Sequence, residues 1–235
     1  MFGTATAGSS STIAAVAGRY VDGGGVSVLE RLRPATARRP EPLAQMLRDR
    51  KTVFIDQLGW DLRSPDGLRE IDAYDGDDTL YLVAHQEQTM RHLGSVRLLP
   101  STGPHLIGDL YPHLCAGGVP RGDDVWEITR LLTSPGLGRA QALQVRRQLS
   151  LGLFEHALSH GISRYTMMTH MAWLPSLLSI GWDAEPLGFP SGSGADAVGA
   201  LQIFVNHETL HRLRDAWDFD SPAFSEIGPE QTMVF

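Results

Sequence analysis

Apolar side chains recur at helical intervals most clearly in RAQALQVRRQLSLGLFEHALSHG, residues 139–161. Leu143, Val145, Leu149, Leu153, Phe154 and Leu158 form the repeat and Gly161 supplies a stop, so the spacing predicts a long helix. PLAQMLRDRKTVFIDQLGW, from Pro42, carries Leu43, Met46, Leu47, Val53, Phe54 and Leu58 at near-helical spacing. Pro42 suits its first turn and Gly59 its end. Two shorter helices follow. AWLPSLLSIG (172–181) has Pro175 in its first turn, and HETLHRLRDAW (207–217) is preceded by Asn206, a good cap. Strand patterns are VSVLERL (26–32), TLYLVAH (79–85), HLGSVRLLP (92–100), DVWEITRLL (124–132), SRYTMMTH (163–170) and ALQIFVN (200–206). The second and third of these lie close enough to form a hairpin.

Between these runs the periodicity is lost. Residues 1–25 are rich in Gly, Ser, Ala and Thr and read as a flexible N-terminal extension. RPATARRPEP is a Pro-broken connection, 61–78 an acidic loop, 101–123 a long loop with one short helical turn, and FPSGSGAD (189–196) a flexible turn. Helices and strands alternate without a strict βαβ rhythm. That order predicts one domain, 26–235, with a mixed, partly antiparallel sheet covered by helices on both faces.

Composition narrows the functional classes. With 235 residues, 42% hydrophobic, the chain can bury a real core. A single cysteine, Cys115, excludes an internal disulfide and fits a reducing, cytoplasmic setting. No apolar run is long enough to span a membrane, and the N-terminus lacks the basic residue that opens a signal peptide. A formal net charge of −7 without a basic block makes nucleic acid a poor partner.

HETLH, 207–211, matches H-E-x-x-H, in which two histidines one turn apart hold zinc. No third ligand and no extension of that motif follow, so the expectation is a surface helix and no metal. HALSH, 156–160, is expected to be a solvated helix end, where histidine suits the dipole.

The chemistry concentrates in residues 50–130. Arg50, Phe54 and LGW ending at Trp60 come first, then Glu70, Asp72 and Asp75 in EIDAYD. TLYLVA and GSVRLLP with Arg97 follow, and VWEITR with Glu127 and Arg130 comes last. This ordered set resembles the acyl-homoserine-lactone synthases, which make bacterial quorum-sensing autoinducers. YTMMTHMAWLPSLLSIGW resembles the strand, helix and Gly-Trp that build the family's acyl pocket.

The resemblance implies an α/β fold of α+β type, three layers α/β/α, with a splayed mixed sheet similar to the Gcn5-related N-acetyltransferases. It also implies a reaction. The amine of S-adenosylmethionine, a substrate and not a resident cofactor, attacks the thioester of an acyl carrier protein or coenzyme A. The methionine carboxylate then displaces methylthioadenosine to close the lactone.

The residue chemistry agrees. An ammonium, a sulfonium and a carboxylate call for acids and guanidiniums. Asp72, Asp75 and Glu127 supply the first kind; Arg50, Arg97 and Arg130 supply the second. Glu127, Arg97 and Arg130 are the expected catalytic set. Arg50, Phe54, Trp60, Asp72 and Asp75 are expected on the S-adenosylmethionine side. An α-amino group with a pKa of about 8 must lose a proton, and Glu127 is the candidate base. Its alternative is to orient Arg97 or Arg50. Backbone amides at a splay or bulge suit the thioester oxygen. Glu127 and Arg130 face opposite sides of a regular strand, so a shared cavity requires a bulge. Otherwise Arg130 braces the acidic loop.

Met167, Met168, Trp173, Leu177 and Leu178 are expected to line the acyl pocket, with ordinary core packing as the other reading. The resemblance places Thr166, or alternatively Thr169, where the family often has a hydroxyl that meets a 3-oxo group. Arg139, Arg146 and Arg147 offer an acidic carrier protein a basic face; a plain solvated helix face is the alternative. TSPGLGRA (133–140) partly matches the Gly-rich turn of ordinary coenzyme A-dependent N-acetyltransferases, the competing function.

Overall fold

The computed structural model describes residues 18–22, 25–33, 41–76, 79–219 and 222–223. Its eight strands are β1 (Gly18–Asp22), β2 (Gly25–Leu32), β3 (Leu80–Gln86), β4 (His92–Pro100), β5 (Val125–Thr133), β6 (Arg164–His170), β7 (Ala184–Pro186) and β8 (Val198–Phe204). The helices are α1 (Glu41–Arg50), α2 (Leu106–Leu110), α3 (Arg139–Ser159), α4 (Leu174–Leu178) and α5 (His207–Trp217). All strands join one sheet in the order β1-β2-β3-β4-β5-β6-β8-β7.

The sheet is mixed, as the element order predicts. β3 and β4 are buried on both faces because helices cover each side. On one face Tyr81 and Val83 pack with Leu32 and with Met46 of α1. On the other, Leu80, Leu82 and Ala84 join the main core with Val145, Leu149 and Leu153 of α3. Gly94 permits the close fit of α3: a Cβ there would stand 2.5 Å from Val145 Cγ1 and 3.0 Å from the Leu132 carbonyl.

Two irregularities shape the middle of the sheet. Ser95 pairs with Leu132 and Arg97 with Thr129, so Arg130 and Leu131 together oppose Val96. This is a bulge, and Arg130 takes φ 51° to make it. The second is a seam. Among the described residues β5–β6 is the one parallel pair, and it joins only Val125–Ile128 to Arg164–Met167. Beyond that, β5 runs on to Thr133 and β6 to His170 with no pairing between them. The unpaired ends open a wedge.

Several expectations are corrected. Residues 18–22, placed in the flexible extension, form strand β1 against β2; residues 1–17 and 23–24 lie outside the described ones. The edge strand β7 carries only three residues, too few for a period-two signal. The 42–58 helix is α-helical to Arg50 and then π-helical over Lys51–Gln57, closing with Leu58 N–H on the Val53 carbonyl at 3.0 Å. His156 is buried, not solvated, and its ring lies tilted against that of His160 at 4.1 Å between centroids. Burial pushes its imidazole down to about 3, so it is neutral. Asn206 does cap α5, accepting from Thr209 N–H at 2.7 Å. His207 and His211 are exposed, and no metal-ligating cluster of the described residues includes them.

Candidate active site

Where α1 ends, where the 61–76 loop folds back and where β4 and β5 bulge, three guanidiniums meet three carboxylates. Arg50 closes α1 and donates from Nε to Glu70 at 2.6 Å and from both Nη atoms to Asp75 at 2.8 Å. Arg97 from β4 donates to Asp72 at 2.6 and 3.0 Å, to Asp75 at 2.8 Å and to Thr129 Oγ1 at 2.9 Å. Arg130, turned by the bulge, donates to Glu70 at 3.0 Å and Asp72 at 2.9 Å. Tyr81 O–H donates to Asp75 at 2.5 Å.

The three acids and three arginines balance in charge, and Arg50, Glu70 and Arg97 are fully buried. Removing such ions from water is costly, and only the reciprocal pairing offsets it. Burial raises the Asp75 carboxyl, but hydrogen bonding and charge from Arg50, with Arg97, overrule it and hold it well below the usual carboxylate range. Burial likewise opposes the Arg50 charge, and Asp75 and Glu70 more than restore it. Glu70, Asp72 and Asp75 bring oxygens within 4.8 Å of one another, as a divalent cation would require, yet guanidinium donors already occupy them.

Sequence reasoning placed Arg50, Arg97, Arg130, Asp72 and Asp75 in one site, and the structure brings them together. It named Glu70 as the first position of EIDAYD but gave it no role, and here Glu70 binds two of the arginines. It put Glu127 with Asp72 and Asp75, and there the structure differs. Glu127 Oε2 accepts from Leu106 N–H at 2.6 Å and Oε1 from Ile107 N–H at 2.8 Å, anchoring the start of α2. Burial pushes its carboxyl up to about 7 against those two amides and the Arg97 charge. The strand does bulge at Arg130, and Arg130 braces the loop through Glu70 and Asp72, while Glu127 is held by the α2 amides.

A layered stack runs outward from the ion cluster. The Arg130 guanidinium lies 5.5 Å over Phe54, Phe54 stacks on Trp60 at 4.9 Å, and Trp60 faces Trp173 at 6.1 Å. The π-helical turn makes this possible by aiming Phe54 inward and carrying Trp60 N–H to the Phe54 carbonyl at 2.9 Å. His170 closes the side of the stack, 5.6 Å from Trp60 and 5.3 Å from Trp173.

Beside the stack, the wedge between β5 and β6 holds a cavity of about 780 Å³. Phe54, Trp60 and Arg130 form one side of it, and Met167, Met168 and Thr169 of β6 another. Leu177 reaches it; Leu178 is exposed and does not. Thr166 is buried opposite Glu127 across the seam and does not line the cavity, because the register brings Thr169 there instead. Trp173 stands at the rim, 41% exposed, as part of the stack. Arg146 and Arg147 line the outer part of the cavity, and Arg147 lies over the Trp217 ring at 5.7 Å. Arg139 is exposed at the first turn of α3 and apart from the cavity.

Residues 35–213 match the family model described as autoinducer synthase. The chain is 34% identical over 175 residues to the isovaleryl-homoserine lactone synthase of Bradyrhizobium diazoefficiens, covering 74% of this chain and 77% of the relative. It is 32% identical over 182 residues to the acyl-homoserine-lactone synthase of Ralstonia nicotianae, covering 75% and 89%. A solved structure of the CoA-dependent acyl-homoserine lactone synthase BjaI, with SAM and isopentyl-CoA, superposes with a TM-score of 0.72 at 30% identity, covering 82% of this chain and 90% of that one.

Proposed function

The chain belongs to the autoinducer synthase family, and on that footing we propose how its own residues divide the work. It transfers the acyl group of a thioester to the amine of S-adenosylmethionine, freeing the carrier thiol, and the methionine carboxylate then displaces methylthioadenosine, leaving an N-acyl-homoserine lactone. The observation that carries the reading is the wedge between β5 and β6, which opens directly beside the neutralised arginine–carboxylate cluster. A polar amino acid and a fatty acyl group need those two environments side by side.

The cluster works as a rigid wall. Its charges satisfy one another, so Arg50, Arg97, Asp72 and Asp75 hold the 61–76 loop and the Phe54–Trp60 stack in place for S-adenosylmethionine. The π-faces of that stack suit the sulfonium. Glu127 takes the ammonium proton before the amine attacks. A carboxyl poised near 7 suits that task at neutral pH. Amides at the Arg130–Leu131 bulge receive the charge that grows on the thioester oxygen.

For the donor, acyl-coenzyme A is the reading best supported. The relative BjaI is CoA-dependent, and Arg146 and Arg147 stand at the outer part of this cavity, where a phosphate-bearing carrier would emerge. Acyl carrier protein is the alternative for the same face. Both donors and S-adenosylmethionine are cytoplasmic, and the reaction is placed there. No helix among the described residues is long and apolar enough to cross a membrane.

The test is to mix the purified chain with S-adenosylmethionine and either acyl-coenzyme A or acyl carrier protein, and to read lactone and methylthioadenosine by mass spectrometry. The two products should appear in equal amounts. Arg97→Ala or Glu127→Ala should lower kcat/KM by roughly 100-fold or more. Thioester consumption independent of S-adenosylmethionine would instead mark an ordinary N-acetyltransferase.

A further inference from the structure

Tyr74, the residue before Asp75 in the acidic loop, stands outside the ion cluster but is fixed by it. Its N–H donates to Asp72 Oδ1 at 2.8 Å, and its carbonyl accepts from Thr79 Oγ1 at 2.6 Å. The Arg97 guanidinium lies over its ring, 5.6 Å from the centroid. From this seat the phenol O–H leaves the loop and donates to Asp109 Oδ2 of α2 at 3.2 Å. Burial, and then the Asp109 charge, push the phenol up to about 12, so it keeps its proton and stays the donor.

α2 is the element that holds Glu127 through the Leu106 and Ile107 amides. It has five residues, too few to keep a helix unaided. Ile107 anchors it among Leu114 and Cys115, and Asp109 ties it to the loop. A shift of α2 would withdraw the two amides that favour the Glu127 carboxylate. Asp109 also acts by charge, adding to burial in raising the Glu127 carboxyl. The other titratable groups facing Glu127 are Arg97 of β4, Tyr74 of the loop and Cys115 beyond α2. Thr166 faces it from β6, and His105, before α2, has Nδ1 on the Gly103 carbonyl at 2.8 Å.

We propose that Tyr74 and Asp109 are a positioning pair that ties the 61–76 loop to α2 and so holds the Glu127 carboxylate where it takes the proton. The pair links the S-adenosylmethionine side of the site to its base. It rests on the acyl-transfer reading above, in which Glu127 is that base.

The experiment records kcat/KM against pH for the full chain with S-adenosylmethionine and an acyl-coenzyme A, with Glu127→Gln as reference. Asp109→Asn still accepts from Tyr74 but removes a charge. Its limb should move to lower pH by roughly half a unit, and less at high salt. Tyr74→Phe keeps the ring over Arg97 but frees α2. Its limb should move to higher pH, and its plateau should fall by roughly 10-fold, a part of what a positioned base contributes. A merely structural role would not move the two limbs in opposite directions. Circular dichroism checks folding, and if Tyr74→Phe does not fold, Asp109→Asn decides. Limbs that stay at the parent position, or move the same way, overturn the proposal and leave the reaction standing. A limb that survives in Glu127→Gln overturns the choice of base and the proposal with it. A parent enzyme that makes no lactone from any donor overturns the reaction itself.

Discussion

Glu127 is the residue whose surroundings pull hardest in two directions. Burial favours its neutral acid, while two α2 amides and Arg97 favour the carboxylate, and the balance falls at about 7. The folded pKa is therefore raised above the ordinary glutamate value of about 4.3. Between those values the folded chain binds more protons than the unfolded one, so Glu127's contribution to stability declines as pH rises through that window. Activity should move the other way, with kcat/KM rising along a limb near pH 7. Glu127→Gln should lose that limb in a pH–rate profile. Asp75 has the opposite sign. Its pKa is depressed, so its stabilisation is present above the ordinary carboxylate range and is lost as pH falls through that range toward the folded value. At this scale the family resemblance singled out Asp72 and Asp75, which by themselves read as solvated loop acids. It was silent on which carboxylate meets which arginine, because that depends on a loop with no period. Glu70 was named in EIDAYD but left without a role for the same reason.

Elements meet the ion cluster through α1, the bulge and the π-helical turn. Removing one partner from a buried network leaves the others uncompensated, at a cost of about 3–5 kcal/mol. Arg50→Ala should therefore lower Tm by roughly 10 °C or more, since each kcal/mol is worth about 2–4 °C in a domain of this size. Thermal denaturation followed by circular dichroism reads it directly. Gly94→Ala tests the contact between β4 and α3. Its methyl would meet Val145 at 2.5 Å, and Val145 is β-branched and stiff. Overpacking of this kind costs about 1–3 kcal/mol, so Tm should fall by several degrees. The longer helices and inner strands were legible from apolar spacing alone. The bulge was not, although the need for one followed from Glu127 and Arg130 standing three apart on a strand. HALSH misled because the polar letters of His156 conceal a neutral ring packed against Trp126, 6.2 Å between centroids.

For the molecule as a whole, the seam between β5 and β6 has a consequence for descent. Residues up to Arg130 supply the charged cluster and one side of the cavity, while α3, β6, α4 and Trp182 supply much of the rest. Four paired positions on each strand stitch the two together. Substitutions on the pocket side leave the reaction's own groups untouched. A lineage carrying this fold is free to change the message it broadcasts while keeping the machinery that writes it.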